Sequence, residues 1–198
     1  RATVADIFGP DIPVAARFEK GVRGDGLLAI GTSQSGMSPF SIEQYDAAAR
    51  TVAAAVVSPE QRGNFVPCTP TDEATFDKAC ATAFVERYGL RLLRRPLDQG
   101  EIDRYVAAAS EGHARLGNFY EGLKYALVGL MVAPEFLLRV EQTEPDPDSD
   151  SETPGLLRLD DYSKATRLSY FLTNSTPDEE LMRAAGAGEL DDSKGLAA

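Results

Sequence analysis

The stretch that decides the fold is Asn118-Phe-Tyr-Glu-Gly-Leu-Lys-Tyr-Ala-Leu-Val-Gly-Leu-Met-Val132. Asn118 with Glu121 is typical of a helix start, because their side chains can accept hydrogen bonds from the first backbone N–H groups. From Leu123 onward the residues are apolar on nearly every side of a helix, which indicates a helix that is buried all round. We therefore predict an all-α fold, an antiparallel helical bundle with this helix at its centre.

Helix signals recur on the N-terminal side of this stretch. Ser41 with Gln44 matches a capping box and predicts a helix start. Another helix is predicted from near Thr71 to before Pro96, because the residue preceding a proline avoids the helical region. Apolar residues at steps of three and four predict the inner faces of these two helices: Ile42, Tyr45, Ala49, Val52, Val56, Phe76, Ala79, Cys80, Ala83 and Phe84.

Further helix starts are predicted in the second half of the chain. Asp98 with Glu101 forms another capping-box pattern. Asp160 begins a helix, and Thr176-Pro177-Asp178-Glu179 begins one with proline at its first position. Strand signals do not occur.

The chain divides by composition. Gly21–Met37 is rich in glycine and serine and predicts an irregular N-terminal segment or short extended pieces. The polar, proline-rich run after Glu141 predicts a linker or an exposed loop. The predicted divisions are a truncated N-terminal domain (1–66), a middle helical domain (67–141), a linker (142–156) and the start of a further helical domain (157–198).

Charge and hydropathy exclude some partners. The 198 residues include 20 Lys and Arg against 31 Asp and Glu, a net charge of −11, so most of the surface repels nucleic acid and anionic membranes. The longest apolar run, Tyr125–Ala133, is under half of the roughly 20 residues that a membrane helix requires. We therefore expect neither a nucleic-acid partner nor a membrane span.

No catalytic or metal-binding residue can be named from the sequence. His113 is the only histidine, which argues against a Ser-His-Asp triad and against a zinc site with two histidines. No pair of carboxylates has a spacing that marks an acid and a base. Cys68 and Cys80 fit neither a Cys-x-x-Cys pair nor paired zinc knuckles, which leaves two buried thiols or a disulfide open.

One cluster of charged residues lies near Pro96. Arg87, Arg91, Arg94 and Arg95 form a basic stripe at the end of a predicted helix. Such a stripe can hold an anion, or it can pair with neighbouring carboxylates. We expect Arg94, Arg95 and Glu101 to act structurally at this helix end, with Arg95 bridging to a carboxylate or to helix-end carbonyls.

Three motifs, at residues 84–97 with Glu101, at 134–141, and at 167–172 with 177–181, follow one another along the chain. Together they resemble the helical domains of large planctomycete-type, cytochrome c-associated proteins of uncharacterised function. Phe-Val-Glu-Arg-Tyr-Gly-Leu-Arg-Leu-Leu-Arg-Arg-Pro-Leu (84–97), followed by Glu101, is similar to the family's "R-R-P-L" segment. Pro-Glu-Phe-Leu-Leu-Arg-Val-Glu (134–141) is similar to its "S-P-x-F-L-y-R-x-E". Arg-Leu-Ser-Tyr-Phe-Leu (167–172) with Pro-Asp-Glu-Glu-Leu (177–181) is similar to its "R-L-S-Y-F-L-W" and "P-D-x-x-L". Thr173 stands where that family usually has tryptophan.

The resemblance implies export to the periplasm or the cell surface, and a redox setting with a c-type haem in the remainder of the protein. This chain lacks a Cys-x-x-Cys-His motif, so we expect it to precede the haem-binding part and to hold no cofactor itself. The expected partner is that remainder, or a separate chain that carries it. In an oxidising compartment Cys68 and Cys80 are expected to form a disulfide.

The function expected from this resemblance is a helical structural or support module of an exported, c-type haem-containing redox protein. The alternative is a module that recognises polysaccharide or another polymer, which aromatic residues clustered on an exposed groove would favour. A third class is a hydrolase that uses some of the carboxylates. The residues from Arg1 read as the middle of a helix, so we expect further sequence upstream.

Overall fold

The computed structural model describes residues 1–16, 37–147 and 154–191. Within these ranges the protein is mostly helical, which confirms the all-α class. The irregular segment predicted at Gly21–Met37 lies, apart from Met37, outside the described residues.

The described chain runs through nine helices and one two-stranded ladder. The helices are α1 (Ala2–Phe8), α2 (Pro39–Val56), α3 (Arg62–Phe65), α4 (Lys78–Leu93), α5 (Gln99–Leu116), α6 (Phe119–Met131), α7 (Pro134–Leu137), α8 (Asp161–Thr173) and α9 (Glu179–Gly186). Between α7 and α8, strand β1 (Thr143–Pro145) pairs antiparallel with β2 (Leu157–Leu159). The sequence predicted no strands here, because three residues are too few for a period-two pattern.

Helix α6 is the centre of the bundle, as predicted. It packs against α2, α4, α5 and α7. The Asn118 side chain accepts hydrogen bonds from the backbone N–H groups of Tyr120 and Glu121, which starts the helix. Five of its side chains are fully buried: Phe119, Leu123, Ala126, Leu127 and Leu130.

Helix α4 begins at Lys78, so its predicted start near Thr71 is wrong. The Asp72 carboxylate accepts a hydrogen bond from the Ala74 N–H at 2.9 Å, which closes a local turn where the helix was expected. The cap is Asp77, whose side chain accepts from the backbone N–H of Cys80. A short polar side chain that bonds the backbone therefore decided the boundary.

The inner face of α4 also differs in part from the prediction. Cys80 and Phe84 are buried as expected, and Phe76, which precedes the helix, is half-buried. Ala79 and Ala83 are exposed. Alanine is small enough to lie on either face of a helix, so its apolar character did not determine its direction.

Two other helix starts test the capping patterns. Helix α5 is capped as predicted, because Asp98 and Glu101 each accept a hydrogen bond from the other's backbone N–H. Helix α2 begins earlier than predicted: its cap is Ser38, which accepts from the Ser41 N–H at 3.0 Å. The inward position predicted for Ile42 is wrong, because this side chain is 53% exposed in the first turn.

The C-terminal helices form a small cluster beside the main core. Helix α8 is capped by Asp160, as predicted, and α9 begins at Glu179 with Asp178 as its cap, slightly later than predicted. Ala165 of α8, Ala185 of α9 and Leu190, which follows α9, form a buried apolar cluster of their own. The pair therefore does not share the hydrophobic core of the bundle.

Helices α5 and α6 cross closely at two glycines. A Cβ on Gly122 would lie 2.5 Å from the carbonyl oxygen of Ala109, and one on Gly112 would lie 3.2 Å from the Cα of Gly122. The obstructing atoms include backbone, which cannot move without separating the helices. Small residues are therefore required on both sides of this crossing.

We expect Gly122→Ala to lower the free energy of unfolding by about 2 kcal/mol, because the added methyl group overpacks the crossing. The matched control is Gly63→Ala, since a Cβ at this position in α3 meets nothing within 4 Å. The control should leave stability unchanged or raise it by up to about 1 kcal/mol. Urea unfolding of both variants measures the difference, and equal effects would contradict the close crossing.

Candidate functional site

The disulfide between Cys68 and Cys80 is confirmed. The Cα atoms lie 5.7 Å apart, within the range that a bridge requires. This is possible because α4 starts at Lys78, which places Cys80 in the first turn and not far along the helix. A helix that started near Thr71 would have placed the two residues too far apart.

The segment that the disulfide holds is pinned to α6 and its neighbours. The carbonyl oxygen of Glu73 accepts from the Phe119 N–H at 2.7 Å, and the Glu73 carboxylate pairs with Arg62 at 2.8 Å. His113 bonds the Ala74 carbonyl oxygen through Nε2 at 3.0 Å. The single histidine therefore holds this segment in place.

Arg94 is buried at the C-terminus of α4. It adopts a left-handed conformation with φ of 60°, and only 4% of it is exposed. Its guanidinium donates to the carbonyl oxygens of Leu92 at 3.0 Å, of Glu135, and of Leu138 at 3.2 Å. Burial lowers the pKa of Arg94, and these carbonyls replace part of its lost hydration. Arg94 thus joins the end of α4 to the segment around α7.

Arg95 forms a bidentate ion pair with Glu101. Its Nη1 and Nη2 donate to Oε2 and Oε1 of that carboxylate at 2.8 and 2.7 Å, and Glu135 lies 3.6 Å from Nη2. The hydrogen bond from Arg95 lowers the pKa of Glu101 to about 2, although burial alone would raise it. Glu101 also accepts from the N–H of Asp98, so one carboxylate serves both the cap and the ion pair.

We expect Glu101 to make stability depend on pH below about 4.5. Its pKa in the folded protein is lower than in the unfolded chain, so its stabilisation is present above the unfolded pKa and is lost as the pH falls toward 2. Glu101→Gln should therefore cost roughly 1–2 kcal/mol at pH 7, after allowance for solvent screening, and much less near pH 2.

Chemical unfolding at a series of pH values measures this effect. The control is Glu111→Gln, an exposed position on the same helix. If the cost of Glu101→Gln does not shrink at low pH, the ion pair does not hold the pKa down.

The other two arginines of the basic stripe lie at a groove. Arg91 pairs with Glu179 at 3.0 Å and approaches the carbonyl oxygen of Ile7. Arg87 is exposed, with its guanidinium 5.8 Å from the centre of the Tyr88 ring. The structure thus separates Arg94 and Arg95, at the helix end, from Arg87 and Arg91. Binding of an anion by these residues stays a prediction.

The groove lies between the bundle and the C-terminal helices. It has a volume of about 1080 Å³, and α1, α4, α5, α8 and α9 contribute to its walls. Its apolar lining consists of Ile7, Leu90, Pro96, Leu97, Ile102, Leu168, Leu172, Pro177, Leu181 and Met182. Thr176 also lines it, and the hydroxyl oxygen of this residue is buried without a hydrogen-bond partner among the described residues. A pocket of this size and apolarity is typical of a binding site.

Polar contacts join the C-terminal helices to the rest of the chain. The Tyr170 and Thr3 hydroxyl groups lie 3.3 Å apart. Arg167 forms a bidentate ion pair with Glu141, in which Nε and Nη2 donate to the two carboxylate oxygens at 2.9 and 2.6 Å. Ser175 donates to Asp6. Of these residues, Asp6 and Ser175 also line the groove.

Helix α8 buries its small polar face and exposes large apolar side chains. The buried residues are Ser163, Ala165, Thr166 and Ser169. Phe171 is 83% exposed and Leu172 is 67% exposed. A surface helix normally does the reverse, so this apolar face lacks a partner among the described residues.

The described residues offer no metal site. No group of three or more His, Cys, Asp or Glu side chains within residues 1–16, 37–147 and 154–191 is placed to hold a metal ion. The chain also does not fit a covalently attached haem, because its two cysteines are joined to each other. In the same ranges no helix is long and apolar enough to cross a membrane.

Comparison with known families gives three matches along the chain. Residues 1–58 match the model described as PSD3, residues 80–141 that described as PSD5, and residues 159–198 that described as PSD4. Each of the three models describes a protein of unknown function. The matched domains are planctomycete cytochrome c-associated domains, which confirms the resemblance of the motifs at the level of the domains. The predicted boundaries at 66, 141 and 156 stay predictions.

No curated protein and no solved structure matches the chain. The three domain matches therefore carry the comparison, and none of their descriptions assigns an activity.

Proposed function

We propose that this chain is a helical support module of an exported, c-type haem-containing redox protein. In this role it binds no haem and holds the haem-bearing part through the groove and the exposed face of α8. The observation that carries the proposal is that face: Phe171 and Leu172 are exposed beside an apolar groove of about 1080 Å³. Large apolar surface left in water is typical of an interaction site.

Two further observations support this role. The cytochrome c-associated domain matches agree with a redox setting. The disulfide supports a location outside the cytoplasm, because such bonds persist in oxidising compartments. We further propose that the protein is located in the periplasm or at the cell surface.

The groove gives no support to polymer recognition. Sugar-binding grooves use exposed aromatic rings, and Tyr162 is the one aromatic residue among those that line this groove. A support role requires only that the groove bury apolar surface of a partner.

The test is to produce the longer natural protein in a host that attaches c-type haem in its periplasm. We expect an absorbance typical of c-type haem in the periplasmic or surface fraction. Adding this chain to the haem-bearing part should raise the melting temperature of that part, because binding stabilises the folded partner. The absence of haem from the longer protein, or an unchanged melting temperature, would reject the proposal.

A further inference from the structure

The apolar stripe on α8 has the spacing of a helix-packing surface. Leu168, Phe171 and Leu172 lie at i, i+3 and i+4, so they share one side of the helix. Leu168 and Leu172 line the groove, whereas Phe171 is not among the lining residues and is 83% exposed. A small molecule held in the groove would leave Phe171 in water, while a helix laid along α8 would cover all three.

The charged residues that line the groove indicate which charges a bound helix would carry along its flank. Most charged groups that line it already have partners: Arg91 pairs with Glu179, and Arg183 pairs with Glu180. Asp6 accepts a hydrogen bond from Ser175, and Asp178 caps α9.

Glu86 and Arg87 are different. Both are exposed on α4 and line the groove, and neither has a charged partner among the described residues. An occupant that brings charges of opposite sign to this edge would be favoured.

We infer that the groove receives one amphipathic α-helix of the haem-bearing part. Its apolar ridge packs on Leu168, Phe171 and Leu172, and its flank places an acidic side chain near Arg87 and a basic one near Glu86. This is the helix-in-groove mode of recognition. The unpartnered Thr176 hydroxyl in the wall offers a hydrogen bond to a polar group of that helix. The inference rests on the proposed support role and names its partner.

The test uses the whole 198-residue chain and two synthetic helical peptides that share one leucine stripe. One peptide carries glutamates along its flank, and the other carries lysines. Fluorescence anisotropy should show saturable binding to the wild-type chain. Leu172→Asp should weaken it by at least about tenfold, since it puts a charge in the apolar contact.

Charge reversal tests the edge of the groove separately. Arg87→Glu should shift the preference toward the lysine peptide, and Glu86→Lys toward the glutamate peptide, by roughly fivefold each. Both residues are exposed, so these variants stay informative if Leu172→Asp fails to fold. The matched control is Leu116→Asp on α5, where the side chain is 50% exposed away from the groove lining, and it should change neither affinity.

Three results would overturn the inference. The first is no saturable binding, or equal loss in Leu172→Asp and Leu116→Asp. The second is binding of the dye anilinonaphthalene sulfonate at the groove that neither peptide displaces, which would make it a site for small amphiphiles. The third is a dimer in sedimentation velocity that Leu172→Asp abolishes, which would make a second copy the occupant. If one of these results is found but the chain still raises the melting temperature of the haem-bearing part, the support role stands. Only the inference that an amphipathic helix occupies the groove is then rejected.

Discussion

Replacing Leu127 by aspartate is expected to unfold the protein or to lower its free energy of unfolding by at least about 4 kcal/mol. Leu127 is fully buried on α6, which four other helices surround. A carboxylate there would have no water, and the neighbouring fully buried side chains of α6 are apolar. The folded state would have to bury a charge, take up a proton or open the bundle.

Thermal unfolding followed by circular dichroism measures this loss. The matched control is Leu116→Asp, because it makes the same substitution where half of the side chain already meets water. We expect the control to lose less than about 1 kcal/mol. If Leu127→Asp melts like the wild type, α6 is not the centre of the bundle.

Removing the disulfide with Cys68→Ala and Cys80→Ala together is expected to cost about 3 kcal/mol. The bridge closes a short loop, so the unfolded chain without it gains conformational freedom. The loop it closes carries Glu73 and Ala74, which bond to Phe119 and His113. Loss of the bridge should therefore loosen the segment beside the N-terminus of α6 first.

Urea unfolding of the oxidised wild type, the reduced wild type and the double variant measures this effect. The reduced wild type is the matched control, and it should resemble the double variant, because both lack the bridge while only one lacks the sulfur atoms. Two reactive thiols in the denatured, unreduced protein would contradict the bridge. That result would also remove the support that the disulfide gives to a location outside the cytoplasm.

The helices could be predicted where local signals agree. The Asp98 and Glu101 capping box and the Asn118 cap both start helices in the structure. The predictions near Ser41 and Thr71 were wrong at the boundary, because Ser38 and Asp77 supply the caps that start those helices. Several Ser, Thr and Asp residues near a helix start can each act as a cap, and the surrounding packing selects one.

The candidate site was harder to predict. The sequence placed four arginines on one stripe, yet the fold turns Arg94 toward carbonyl oxygens of another segment and leaves Arg87 at a groove. Contacts between residues far apart in the chain carry this difference. The exposure of Phe171 was also not foreseen, since a large aromatic residue in a helix is normally expected inside.

The sequence by itself determined the helical class, the central place of α6, and the family resemblance that pointed to a disulfide. These depend on patterns within one helix or on short motifs, and local physics decides them. Only the tertiary structure decided that α8 buries Ser163, Ala165, Thr166 and Ser169 and leaves Phe171 and Leu172 exposed. An amphipathic pattern states which side chains avoid water, but which face is buried depends on the neighbours that the fold supplies. For α8 these neighbours are α9 and the segment at Gln142, whose N–H donates to Ser163.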